Sequence, residues 1–393
     1  MTKPPASRLM RTCEHVGQGH PDKACDQFAD TILDAILDAA RASGGKSNSD
    51  LNFASNQRTA IEMLAKDHWL VISGEVSMGP LVAAAIDVDA LIRRKWRDIG
   101  YDDADKVTIV NHLRPQSPEL TTNANTGGAG DQGIMVGFAT NGTKSLMPRE
   151  YELARDLCLS LEELRASGEL PWLKCDTKTQ VTLNAAGGVE RVVIAAQHAA
   201  EVEGKTEPET IRAVMTAHLM ERAVKPLMGA LETSRLTVNG SGSFIKGGPI
   251  GDAGVVGRKI VVDAYGPTVP VGGGAYSGKD PTKVDRSAAY MCRYIAKTAA
   301  SMRIKGATDV TVSLAYGIGL HQPEMVTAVT DEGVDISDWV KMRFPDLSPR
   351  AIADTLDLWR IKTGSAWRYQ DTAAYGHYGR DMFPWEQIAQ VSD

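Results

Sequence analysis

The sequence predicts an α+β protein in which sheets carry helices on one face, and three observations lead there. Apolar runs of strand length alternate with helical stretches and hairpins. The alternation divides the 393 residues into three roughly equal thirds. The literal G-x-G-x-x-G of residues 128–133 runs into a strand, Ile134-Met135-Val136-Gly137-Phe138, where a dinucleotide fold needs a helix. Sheets with helices on one face are then more economical than one doubly wound sheet.

Composition narrows the function. Hydrophobic residues make up 43% and charged residues 23%, as in soluble globular proteins. Lys plus Arg total 43 against 49 Asp plus Glu, a net charge of −6, so neither nucleic acid nor an acidic membrane is expected as main partner. Any anion must be held by a local cationic pocket. No apolar run reaches membrane-spanning length and residues 1–11 lack the apolar core of a signal peptide, so the expected location is the cytoplasm. Five cysteines (Cys13, Cys25, Cys158, Cys175, Cys292) without C-x-x-C spacing imply reduced thiols, not zinc or disulfides.

In chain order, the segment 14–23 leads into a helix whose Ala29, Ile32, Leu33, Ile36 and Leu37 follow helical spacing. Pro21 suits the first helical position, with His20 about at the N-cap. His20, Asp22 and Lys23 then gather where an anion or a hydrated metal would lie, with plain capping as the rival reading. Asp22, Asp26, Asp30, Asp34 and Asp38 recur every four residues, and the last four read as a solvated face. Residues 58–64 and 69–76 form a hairpin. Its Glu62 and Glu75 are carboxylates in mostly apolar strands, suited to a ligand or to an edge. Residues 81–99 read as a surface helix and 107–113 as a strand. The polar, aperiodic 114–127 is a candidate lid.

A helix over 148–168 precedes a strand in which Asp176 and Lys178 share a face. A strand over 189–198 and a helix over 207–227 follow. A second glycine-rich region, 240–257, carries Phe244, Lys246 and Asp252 and ends in Arg258-Lys259, before a strand expected at 260–265. Gly272-Gly273-Gly274 then opens a turn bearing Lys279, Asp280, Lys283, Asp285 and Arg286, with a helix behind it. Glycines let backbone approach a ligand closely. Lysines and carboxylates on such a turn suit a polyphosphate with its Mg²⁺, or else a solvated turn with surface ion pairs. It is not a P-loop, because Gly-Lys-Asp stands where Gly-Lys-Ser/Thr is required. A strand over 309–316 and a closing tail, 373–385, complete the chain.

Residues 14–23, 128–133, 247–259, 272–286 and 373–385 together resemble the S-adenosylmethionine synthetase (methionine adenosyltransferase) family, in the family's order and across nearly the whole chain. The resemblance implies three similar α+β domains, 8–112, 126–248 and 249–387, around a pseudo-threefold axis. It implies a homodimer, or a homotetramer of two such dimers, with active sites between subunits. Segments 14–23 and 272–286 are expected from one subunit, with Glu75, Gln116 and Asp131 from its partner. The implied reaction is attack of L-methionine sulfur on C5′ of ATP, with hydrolysis of the released triphosphate to pyrophosphate and phosphate.

By the same resemblance, His20 lies beside the bridging oxygen, and Lys178, Arg258, Lys259, Lys279 and Lys283 contact polyphosphate. Asp131, Asp176 and Phe244 surround adenosine, and Glu75, Gln116 and Asp252 surround methionine. Asp22 and Asp285 match Mg²⁺ ligands, and Glu62 a carboxylate near K⁺. Two departures stand out. The 116–127 loop is shorter than usual in the family, which implies easier entry of bulkier S-alkyl groups, and Lys246 stands where an aliphatic residue is common. A kinase or ATPase would need Walker or protein-kinase signatures that are missing. A non-catalytic subunit would be expected to lose His20 or several lysines, all of which are present.

Overall fold

The computed structural model describes residues 9–42, 57–115, 127–360 and 366–390. Its first strand, β1 (Arg11–Val16), leads through a tight loop into α1 (Pro21–Ala42). The hairpin follows as β2 (Arg58–Lys66) and β3 (Trp69–Ser77). The expected helix over 81–99 is instead two pieces, Pro80–Ala85 and α2 (Val88–Ile99), the second capped by the Asp87 carboxylate on the Ala90 N–H. Then come β4 (Thr108–Arg114), β5 (Gly133–Thr140), α3 (Arg149–Ala166), β6 (Leu173–Leu183) and β7 (Val189–His198). α4 (Pro208–Leu219), β8 (Leu236–Val238) and β9 (Gly254–Val255) follow, and the last third contributes α5 (Val284–Ser301), β10 (Asp309–Tyr316) and β11 (Met325–Thr330).

Among the described residues three sheets result, with strand orders β1-β6-β7-β8, β4-β3-β2-β9 and β11-β10-β5. Each takes a strand from a distant part of the sequence. β1 joins β6, β9 joins β2, and β5 joins β10, all antiparallel. These crossings stitch the thirds of the chain together. Each sheet also carries a long helix: α1 on β2, α3 on β6 and β1, α5 on β5 and β10. Strand alternation sets these contacts, since Ile61, Met63 and Ala65 turn inward from β2 while Glu62 and Leu64 turn outward. Gly137 lets α5 lie flat on β5, because any Cβ there would strike the Cys292 carbonyl.

Three further expectations are corrected. Residues 260–265, β-branched and apolar, were expected as a strand, yet Ile260–Asp263 is a single helical turn. Here tertiary structure overrides propensity, for the turn delivers the Asp263 carboxylate to the buried Lys23 ammonium. The helix over 207–227 is regular only to Leu219 and continues through a wide turn, Met220–Val224, just before Pro226, which has no N–H to give.

The acidic row on α1 is the largest correction. Asp26, Asp30 and Asp34 are buried, and only Asp38 is partly open. Each step of four residues climbs about 6 Å and turns about 40°, so the carboxylates form a slowly winding stripe. Like-charge repulsion is overcome because each meets cations or backbone donors. Asp26 pairs with Lys23 at 2.9 Å and accepts the Gly257 N–H at 2.8 Å. Asp30 takes both terminal nitrogens of Arg286 at 2.7 Å and the Gly278 N–H at 2.9 Å. Asp34 takes Arg360 at 2.7 Å and the N–H groups of Tyr369 and Gln370 at 3.0 Å. Burial pushes the Asp34 carboxyl up to about 6 against the pull of Arg360. The helix is a buried rail on which the glycine-rich loops and the C-terminal segment hang.

Candidate active site

The loop into α1 is fixed by backbone contacts that only glycine permits. Gly17 N–H donates to the Thr177 carbonyl at 2.8 Å and Gly19 N–H to the Cys175 carbonyl at 3.2 Å, both on β6. A Cβ on Gly19 would sit 2.5 Å from that Cys175 carbonyl oxygen, so no larger residue fits. The Tyr101 hydroxyl donates to the Gly19 carbonyl at 2.6 Å. His20 then caps α1. Its carbonyl accepts from Ala24 N–H at 2.9 Å, and its Nδ1 accepts from Asp22 N–H at 3.2 Å.

Capping and chemistry are therefore compatible. An accepting Nδ1 puts the proton of the neutral ring on Nε2. Burial first, and Lys259 second, lower the His20 pKa to about 4, so the ring is neutral at physiological pH and offers Nε2–H as a donor.

A first group of sequence-predicted residues runs from His20 across β6 and β7 to the Gly247–Gly248 turn. Lys259 lies 2.5 Å from one Asp22 oxygen, and Arg258 lies 3.5 Å from the other, which also accepts Val255 N–H at 2.9 Å. Burial alone would raise the Asp22 carboxyl, but the Lys259 and Val255 hydrogen bonds hold it below its usual value. Lys178, opposite Val16 in the β1–β6 register, pairs with Glu14 at 2.8 Å. Asp176 is buried and accepts Gly248 N–H at 2.7 Å, while Asp252 is exposed at the end of the same turn. Phe244 exchanges two hydrogen bonds with His198, its N–H donating to Nε2 at 3.0 Å and its carbonyl accepting at 2.9 Å.

A second group forms around the glycine turn. Lys279 pairs with Asp285 at 2.6 Å and lies beside Ala60 of β2. Lys283 immediately precedes α5, its carbonyl accepting from Arg286 and Ser287 at 3.1 Å. Glu62 projects outward from β2. Burial raises its pKa, opposed by Lys279 and reinforced by Glu75. A Cβ on Gly133 would lie 3.3 Å from Asp285, which places the exposed Asp131, two residues earlier, on a loop against this turn. Within one chain, the 272–286 turn and the Asp131 loop thus adjoin. The two groups adjoin where Gly257 backs onto Ala275.

Gln116 and residues 116–126 of the expected lid lie outside the described residues. Sequence reasoning missed Glu14 as the partner of Lys178 and Tyr101 as the brace of Gly19. It had the signal for the buried acids, the four-residue repeat, and misread it. Lys246 is exposed and lines a cavity of about 470 Å³ with Lys174, Tyr101 and Gln197 behind the Gly247–Gly248 turn.

Asp176 gives a pH test. Burial foremost raises its pKa to about 7, so the fold favours its protonated form. That contribution is fully present below the unfolded pKa near 3.9 and is lost as pH rises through about 7. Asp176→Asn, which keeps an acceptor for Gly248 N–H, should therefore gain thermal stability over the parent as pH rises from 5 to 8. A constant difference across melts in that range would exclude the buried-acid assignment.

A metal ion is tested by the donor set. Among the described residues no three His, Cys, Asp or Glu side chains cluster, so a protein-only cage is absent there. Asp22 and Asp285 each present one carboxylate among cations, which fits Mg²⁺ bound through one or two carboxylates and substrate phosphates. Among the described residues, no helix is long and apolar enough to cross a membrane.

Comparison with known proteins completes the picture. Three family models match consecutive stretches: the N-terminal domain of S-adenosylmethionine synthetase over residues 8–118, the central domain over 126–244, and the C-terminal domain over 246–387. The S-adenosylmethionine synthase of Petrotoga mobilis is 39% identical over 98% of both chains. That of Sorangium cellulosum is 38% identical over 98% of this chain and 89% of its own, and that of Thermosynechococcus vestitus 38% over 98% and 97%.

Proposed function

The chain belongs to the S-adenosylmethionine synthetase family, and on that premise we propose that it makes S-adenosylmethionine from ATP and L-methionine. A sulfur lone pair forms the S–C5′ bond, the C5′–O bond breaks, and its electrons leave on the triphosphate. Water then cleaves the triphosphate to pyrophosphate and phosphate. The observation that carries this reading is the neutral, helix-capping His20 with Nε2–H free to donate, set among Lys178, Arg258 and Lys259. Displacement at C5′ needs no covalent nucleophile from the protein. It needs donors where charge develops on the bridging oxygen and the departing phosphates.

One cation about 4 Å from a phosphate charge contributes roughly 4 kcal/mol at an effective dielectric near 20, before desolvation. Contacts that strengthen as the leaving group forms therefore act on the rate. Lys279 and Lys283 extend the same cationic surface. Asp131, Asp176 and Phe244 are assigned to adenosine, and Glu75, Gln116 and Asp252 to methionine.

Asp22 and Asp285 would hold Mg²⁺, which would neutralise phosphate charge when bound, and Glu62 would stand near K⁺. Asp22→Asn and Asp285→Asn are expected each to raise the Mg²⁺ concentration needed for half-maximal activity, and Glu62→Gln to abolish activation by K⁺. Unchanged Mg²⁺ titrations, or a retained K⁺ response, would remove these residues from the ion sites.

A homodimer or homotetramer in the cytoplasm fits the reading. The outer face of the β4-β3-β2 sheet exposes Leu64 (46%) and Trp69 (57%), apolar side chains that a second copy would cover. One assay decides the reaction: purified protein with ATP, methionine, Mg²⁺ and K⁺, read for a sulfonium product with pyrophosphate and phosphate. Formation of ADP in their place would overturn the reading in favour of a kinase or ATPase.

A further inference from the structure

Two glycine-rich loops bring the cations to the site, and both hang from the same face of α1. Asp22 accepts Val255 N–H and Asp26 accepts Gly257 N–H, so two successive carboxylates seat the strand-loop that ends in Arg258 and Lys259. One step further along the helix, Asp30 accepts Gly278 N–H. The same Asp30 holds the Arg286 guanidinium through both oxygens, and Arg286 Nη1 donates to the Lys279 carbonyl at 3.1 Å. The backbone on either side of the Lys279 Cα is thus fixed to one carboxylate, directly at Gly278 and through Arg286 at Lys279. Arg286 has no freedom to move with the loop. Its Nε donates to the Tyr290 hydroxyl at 3.0 Å and its Nη2 to the Thr372 hydroxyl at 3.1 Å. Lys23, buried between Asp26 and Asp263, locks the other loop in the same way.

We propose that Asp26 and Asp30 are positioning residues, which seat the Arg258–Lys259 loop and the Lys279–Lys283 loop at fixed places on α1, so that each loop presents its cations to a triphosphate. The helix supplies the ruler, since Asp26 and Asp30 lie about 6 Å apart along its axis. Neither carboxylate touches the phosphates. Each acts through the backbone N–H it holds. The inference rests on the proposed reaction only in taking triphosphate as the group the loops receive.

A purely structural role would make every buried acid of the rail equivalent, and Asp34 provides the comparison. It is as buried as its neighbours and as fully bonded, but it holds Tyr369, Gln370 and Arg360, on a segment that carries none of the four cations. The test measures binding of inorganic triphosphate with Mg²⁺ to the full-length protein by calorimetry. Asp26→Asn and Asp30→Asn are expected to bind about tenfold or more weakly, as are the charge-keeping Asp26→Glu and Asp30→Glu, which shift the loop by one methylene. In assays, KM for ATP should rise and triphosphate hydrolysis should fall together with synthesis. Asp34→Asn should lose thermal stability and keep the parent's affinity. If an Asn variant does not fold, its Glu counterpart supplies the measurement. Parent-like affinity in folded Asp26 and Asp30 variants, or an equal loss in Asp34→Asn, overturns the proposal. A parent protein that binds triphosphate yet forms no sulfonium would instead overturn the reaction and leave the positioning role standing.

Discussion

Replacing His20 with alanine is expected to lower S-adenosylmethionine formation about 100-fold or more, while hydrolysis of added triphosphate loses much less. Only the first step builds charge on the oxygen that leaves C5′, and a donor aimed at that oxygen acts in that step alone. The lysines serve both steps, because both involve the triphosphate. His20 also caps α1 through Nδ1, so alanine removes two things at once. Loss of a cap costs about 1 kcal/mol of stability, which a melt detects. His20→Asn separates the roles. Its side-chain oxygen can still accept Asp22 N–H, while the Nε2 donor is gone. The asparagine variant should therefore melt near the parent and remain defective in synthesis. Equal loss in both half-reactions for His20→Ala, or parent-like synthesis by His20→Asn, would falsify the assignment of Nε2 to the bridging oxygen.

The contrast between what the sequence showed and what it hid follows from the range of each interaction. His20 at a helix start, Pro21 behind it and glycines before it are local signals, and the structure has each in its expected place. The hairpin of β2 and β3, two mostly apolar runs around a polar turn, was legible for the same reason. The acidic row on α1 was equally visible but pointed the wrong way. Spacing reveals that carboxylates share a face and says nothing about what faces them. Their partners, Gly257, Gly278, Arg286, Arg360 and Tyr369, lie more than two hundred residues away. The turn at 260–263 was misread for a related reason: Lys23 supplies the partner for Asp263, and no local pattern announces it. Strand exchange between the three sheets was hidden too, since neither β1 nor β9 carries a mark of the partner it joins. Of the site residues, Gln116 lies outside the described residues, and the rest fall into the His20 group and the Lys279 group.

That grouping leads to the second large effect: two inactive variants should restore activity when they share a dimer. Suppose each active site takes the His20 group from one chain and the Lys279 group from the other. A hybrid of a His20→Ala chain with a Lys279→Ala chain then has one site with both lesions and one site with none. The expected activity of a purified hybrid is about half that of the parent dimer, from two chains that are each nearly dead alone. Pairs drawn from one group behave differently. His20→Ala with Lys259→Ala places a lesion in both sites of the hybrid, and so does Lys279→Ala with Asp131→Ala, because Asp131 sits on the loop against Asp285 in its own chain. Those hybrids should stay inactive. The three pairings distinguish the arrangements that remain. Recovery in the first pair alone supports sites divided between these groups. Recovery for Lys279→Ala with Asp131→Ala would mean that the two residues serve different sites despite their shared loop contact. If mass measurement shows that the first hybrid forms and it is still dead, each site draws His20 and Lys279 from the same chain. The dimer face proposed on β4-β3-β2 would then have no part in assembling the two groups.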